Sequence, residues 1–137
     1  MTNTPFSHLP KAACIVLLSG QSIVVCSRRH SKIYGLPGGK VDFGETTLQA
    51  AIRETAEETG VIVQPEQLSL LYSGPSYEEK PFFVDTFITE IPPTTTLKNM
   101  EDGIDVIWIN WIEFLKNNAF QKYNELVYQS YLNRQAH

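Results

Sequence analysis

A chain of 137 residues, 42% hydrophobic and 19% charged, is one ordinary globular domain with enough apolar content to close a core without staples. Its formal net charge of -4 argues against gripping long nucleic acid through its phosphates, which needs a basic patch. Small nucleotides stay open to it, because a bound cation can meet them.

The cysteines, Cys14 and Cys26, each sit inside an apolar run and give no disulfide framework, so both are expected as reduced thiols. The longest apolar run, Ala12–Leu18, is far short of the roughly 18 residues of a membrane span. Met1–Lys11 is mostly polar, contains two prolines and does not read as a secretory signal. A soluble cytoplasmic protein with no membrane partner is the expectation.

In chain order, Ala12–Leu18 and Ser22–Cys26 are apolar runs separated by Ser19-Gly20-Gln21, which predicts a hairpin of strands covered on both faces. A glycine-rich loop, Tyr34–Gly39, follows, and Lys40–Phe43 reads as a short strand or extended segment. Thr46–Thr59 is the clearest helix: Thr46 with Gln49 matches a capping box, and Gly60 is placed to end it. Leu68–Ser73 and Phe82–Ile91 read as strands, Pro92–Asp102 as a polar loop and Asp105–Trp111 as another strand. Ile112–Asn117 predicts a helical turn. From Phe120 to about Arg134, a stripe of Phe120, Tyr123, Val127 and Tyr131 predicts a core-facing helix. No repeat or linker divides the chain, so residues 1–137 read as a single domain. Two or more helices with five or six short strands predict an α/β (α+β) fold, a sandwich with helices covering a mixed sheet.

On a helical wheel, Leu48, Ala51, Ile52, Thr55 and Thr59 share the face that should pack on the sheet. Glu54, Glu57 and Glu58 share the other, as neighbours at i, i+3 and i+4 whose like charges cost a few tenths of a kcal/mol per pair. Arg53 can pair with Glu57, but one arginine cannot neutralise three acids. A hard divalent cation can, since magnesium takes carboxylate and water oxygens. The triplet alone is also what a solvated acidic helix face looks like. The glycine-rich turn just before it and the further acid Glu45 at the helix start tip the balance, because glycine backbone can approach a ligand closely.

Gly39, five residues, Glu45, seven residues, then Arg53-Glu54-Thr55-Ala56-Glu57-Glu58-Thr59-Gly60-Val61 resembles the Nudix box. Every charged and glycine position of that signature is filled. The one departure is Thr55, where the pattern has a bulky aliphatic residue facing the core. Leu36-Pro37-Gly38-Gly39 is similar to the family's loop into the box, and the order of strands and helix fits from Ala12 to about Trp111.

The resemblance implies a MutT-type pyrophosphohydrolase. It would cleave a phosphoanhydride bond in a nucleoside di- or triphosphate, or in a nucleoside diphosphate linked to another moiety, using magnesium or manganese. It implies Glu57, Glu58 and the Gly39 carbonyl as metal ligands, Glu54 as a third ligand or the base, and an Arg53–Glu45 pair holding loop and helix in register. Such an ion lowers the pKa of a bound water, and a carboxylate then takes the proton. In this family the base sometimes comes from a later loop, for which Glu101 is preferred over Asp102.

Arg28 and Arg29 end the second strand and are candidates for phosphate contacts, with His30 and Lys32 weaker. Tyr34 is the first candidate to stack a base or sugar, ahead of Tyr72, Tyr77, Phe82 and Phe83. His8 and His137 carry no signal. Alternatives are a hydrolase of nucleotide sugars, dinucleotides or RNA 5' ends and, in a different class, a non-catalytic nucleotide-sensing module, whose usual mark is lost box carboxylates. The expected partner is a small nucleotide. A homodimer is compatible with the sandwich, and nothing in the sequence demands one.

Overall fold

The computed structural model describes residues 8–136. β1 (Lys11–Ser19) and β2 (Ser22–Arg28) form an antiparallel hairpin across Leu18↔Ile23 and Ser19↔Ser22. Its two-residue turn uses Gly20 at φ 60°, a left-handed value that glycine adopts without steric cost. Beyond those pairs the two strands part, and the glycine-rich segment fills the gap. β3 (Tyr34–Gly35) pairs with the end of β2, and β4 (Gly38–Lys40) with the start of β1.

β5 (Ser69–Pro75), β6 (Phe83–Glu90) and β7 (Ile104–Asn110) complete one mixed sheet. β6 lies parallel to β1 from Lys11 to Leu18, β5 antiparallel to β6, and β7 antiparallel to β2 along its whole length. The helices are α1 (Thr47–Thr59), α2 (Trp111–Lys116) and α3 (Gln121–Gln135).

Alternation along β1 divides the core between the sheet's two sides. Ala13, Ile15 and Leu17 face α1 and pack with Ala50, Ala51, Val24, Phe87 and Val106. Val16 and Leu18 face the other way and pack with Trp111, Phe114, Tyr123, Val127 and Tyr131 of α2 and α3. A strand apolar on every residue is therefore buried on both faces, as the unbroken run Ala12–Leu18 implied. The α/β/α sandwich around a mixed sheet expected from the sequence is the architecture observed.

α1 starts and ends where its local chemistry directs. Thr46 Oγ1 accepts from Gln49 N–H (3.1 Å), and Thr46 N–H donates to Gln49 Oε1 (2.9 Å). At the other end Gly60, at φ 76°, donates its N–H to the Ala56 carbonyl. Several boundaries differ from the sequence reading. The strand expected at Lys40–Phe43 is Gly38–Lys40, because its partner is the start of β1, and Phe43 is fully exposed. Trp111 opens α2 instead of closing β7, because Asn110 caps that helix by accepting from Ile112 N–H. On α1, Leu48 and Ile52 are only half-buried, whereas Ala50 is fully buried. Phe120 leaves the expected core stripe and is 40% exposed, since it precedes α3. His137 lies outside the described residues.

Candidate active site

The acidic face of α1 meets β4 at the end of the sheet where β1 begins and β2 ends. Arg53 organises it. Its guanidinium makes a two-pronged pair with Glu45, Nε to Oε2 at 2.7 Å and Nη2 to Oε1 at 2.9 Å. The same side chain reaches Glu54 at 3.0 Å, Glu57 at 3.4 Å, Asp42 at 3.3 Å and the Lys40 carbonyl at 3.2 Å. Planar fork geometry is what lets one arginine bind the lead-in to α1 and two carboxylates on the helix's outer face. Glu45 is held well below the usual carboxylate range, at about 2, chiefly by its hydrogen bonds from Arg53, and that pairing keeps Arg53 protonated.

The two glycines of β4 lie directly against the carboxylates. Gly38 N–H donates to Glu58 Oε1 at 2.7 Å. A Cβ placed on Gly39 would stand 2.7 Å from the Glu54 carboxyl carbon, and one on Gly38 would stand 2.7 Å from Cys14 Cα. A side chain on Gly38 would strike fixed backbone and one on Gly39 would displace the Glu54 carboxylate, so at these positions backbone alone lies between the acidic face and the far side of the sheet.

Burial pushes Glu58 up to about 7, and the charges of Glu54, Glu101 and Glu57 add to the effect while the Gly38 N–H opposes it. Glu101 thus belongs to the same electrostatic group, although it is exposed and comes from the turn before β7. Glu57 is the open member, its side chain 56% exposed. Among the described residues, no three acids, histidines or cysteines already converge as a closed metal cage. Magnesium does not require one, because it keeps several waters and binds through one or two carboxylates. The donor set of Glu54, Glu57, Glu58 and the Gly39 backbone fits that kind of open site.

Other residues singled out by the sequence fall in two groups. Arg28 and Arg29 border this end of the sheet: Arg28 pairs in register with Ile104, Arg29 N–H donates to Gly103 O, and the Arg29 guanidinium lies 3.7 Å from Asp105. Both are exposed beside the turn that carries Glu101. Tyr34, the first stacking candidate, instead packs against the core on the α3 side, and its backbone is bonded to Asn117 and Ala119.

A cavity of about 260 Å³ opens on the other side of the two glycines, on the sheet face opposite α1. Ala12, Cys14 and Val84 form its floor, Leu36, Phe82, Phe120 and Tyr123 its apolar walls, and Lys40, Ser76 and Glu78 its polar rim. Tyr123 Oη bonds Thr86 Oγ1 and contacts the Cys14 thiol, so the floor is fixed. Burial pushes that thiol up to about 12, which makes it a packing group and not a nucleophile. Of this lining only Phe82 was among the ligand-contact candidates. The rest comes from segments far apart in sequence and has no local signature.

The NUDIX domain profile matches residues 8–129. A Bacillus subtilis (strain 168) protein named "Putative 8-oxo-dGTP diphosphatase" is 32% identical over 101 residues, covering 74% of this chain and 64% of that protein's length. "Phosphatase NudJ" of Shigella boydii serotype 4 (strain Sb227) is 29% identical over 106 residues, covering 76% of this chain and 69% of that protein. Among solved structures, a C. elegans Ap4A hydrolase binary complex superposes with a TM-score of 0.70 at 24% identity, covering 93% of this chain and 98% of that one.

Proposed function

The chain belongs to the Nudix family, hydrolases of pyrophosphate bonds in nucleoside diphosphate derivatives, and from that membership we propose a magnesium-dependent enzyme acting on a small nucleotide at the α1–β4 junction. One observation carries the assignment. The carboxylates of α1 and a base-sized cavity lie on opposite sides of the Gly38–Gly39 backbone, so a nucleotide can lay its diphosphate over the glycines with its base beyond them.

Glu57, Glu58 and the Gly39 carbonyl, with Glu54 as a third carboxylate, are the proposed metal ligands. A bound divalent ion would neutralise phosphate charge and lower the pKa of a coordinated water. Arg53 pairs with Glu54 and Glu57 and ties Glu45 to the helix, which holds the acids in place. The proton from the attacking water goes to Glu101 or Glu54. Glu101 is the exposed carboxylate facing Glu58, and Glu54 is pinned against Gly39. Arg28 and Arg29 supply positive charge at the phosphate end. Because all box carboxylates are present, catalysis is favoured over a nucleotide-sensing module.

The test is magnesium-dependent release of phosphate or pyrophosphate across a nucleotide panel. Glu57→Gln should lower kcat by about a hundredfold or more with little change in Tm, since the side chain is open to solvent. Normal turnover in that variant would overturn the metal assignment. Glu101→Gln and Glu54→Gln separate the two bases: the true one loses kcat and the low-pH limb of its rate profile.

A further inference from the structure

The rim of the cavity holds one carboxylate, and its surroundings do not explain why an acid stands there. Glu78 is half-buried in the segment between β5 and β6, above walls made of Phe82, Phe120 and Tyr123. A carboxylate beside apolar rings is costly unless donors meet it. One donor is internal: Ser76 Oγ donates to Glu78 Oε1 at 3.1 Å, and the same hydroxyl accepts the Phe82 N–H at 3.0 Å. That relay fixes the carboxylate to the backbone at the point where the Phe82 ring enters the wall. Ser76 N–H in turn donates to the Phe82 carbonyl at 2.8 Å, which closes the segment into a rigid clip.

Lys40 also lines the cavity, and its Nζ lies 5.8 Å from the centre of the Phe82 ring. Lys40 follows Gly39 on β4, the strand beside the α1 carboxylates, whereas Glu78 comes from the segment between β5 and β6. The volume, about 260 Å³, is below the roughly 300–1,000 Å³ of sites for drug-sized ligands and suits one ring system between aromatic walls.

We infer that Glu78, held by Ser76, is the specificity-determining residue of this enzyme and selects guanine-type bases. The inference rests on the hydrolase reading above for the direction in which a nucleotide lies. An ionised carboxylate only accepts hydrogen bonds, and two parallel N–H groups satisfy it best. Guanine presents two adjacent donors, N1–H and the 2-amino group. Adenine and cytosine present an amino group next to a ring nitrogen that accepts, and uracil and thymine present one N–H between two carbonyls. Each of those edges aims at least one lone pair at the acid.

The experiment compares wild type with Glu78→Gln. A glutamine amide offers one donor and one acceptor, which removes the match to guanine and creates one to adenine and cytosine. With magnesium, kcat/KM for guanine nucleotides over adenine nucleotides should be about tenfold or more in wild type and fall close to unity in the variant. In a second arm, calorimetry in EDTA measures guanosine and adenosine monophosphate binding, which requires neither metal nor turnover. Wild type should favour the guanosine compound by a similar factor, and the variant should not.

Absence of hydrolysis for every nucleotide, with guanosine preference intact in EDTA, sinks the catalytic reading and leaves the base assignment standing. A guanine preference that survives Glu78→Gln overturns the inference, as does wild type showing no preference in either arm. Loss of hydrolysis of all nucleotides alike in the variant also overturns it, because Glu78 would then serve the chemistry and not the choice of base.

Discussion

Glu58 and Glu45 respond to pH in opposite senses. Glu58 is raised by burial to about 7 from an ordinary 4.5, so its contribution to stability is fully present below pH 4.5 and is lost as pH rises through 7. Glu45 is lowered to about 2 by Arg53, so its contribution is present above pH 4.5 and is lost as pH falls through 2. Between these limits the metal-free protein should lose Tm as the solution goes from mildly acidic to neutral. Scanning calorimetry in EDTA checks this: Glu58→Gln should flatten the slope, and magnesium should reduce it in wild type by favouring the ionised carboxylate. A wild-type slope unchanged by the substitution would assign it to another group.

At the scale of an element, α1 carries like charges on its outer face and has to be held by its ends and its inner face. The capping box supplies the N-terminal end, and Thr47 Oγ1 donates to Asp85 on β6 at 2.6 Å, fastening that end to the sheet. Thr46→Ala should therefore cost about 1 kcal/mol, seen as a lower denaturant midpoint at unchanged slope. Thr55, the one departure from the box pattern, is fully buried, and its hydroxyl finds no partner among the described residues. An aliphatic residue there would spare that unmet bond, so Thr55→Val is expected to hold or raise stability in the same titration. The segment Gly38–Lys40 shows the opposite dependence: as a strand it exists only because β1 lends it an edge.

For the molecule as a whole, two apolar clusters share a single sheet, and β1 contributes alternate residues to each. Neither side can lose its packing without loosening the strand that serves the other. We therefore predict a single cooperative unfolding transition by both circular dichroism and fluorescence. Trp111 is the keystone of the α2–α3 side, 1% exposed and stacked on Tyr131 with a ring-centre separation of 5.4 Å. Trp111→Ala should cost about 3–5 kcal/mol and still leave one transition. Two transitions in wild type would mean that the layers unfold independently. No helix among the described residues is long and apolar enough to cross a membrane.

The sequence by itself determined what depends on near neighbours. The capping box, Gly60, the Arg53–Glu45 pair and the shared face of Glu54, Glu57 and Glu58 all arise within 16 residues of one helix and its lead-in, where fixed periodicity turns spacing into geometry. The doubly buried strands were legible for the same reason, because an unbroken apolar run states that both faces are covered. Tertiary structure alone decided that β3 and β4 part the β1–β2 pair, and that the two glycines divide the acids from a cavity. It also withdrew Tyr34 into the packing and brought Phe120 out to the cavity wall beside Phe82 and Glu78. Those residues lie on segments tens of positions apart, and what joins them is strand pairing and layer packing, which leave no period or spacing in the chain. The proposed phosphate chemistry is therefore written locally, whereas the proposed base contact joins residues that meet only after folding.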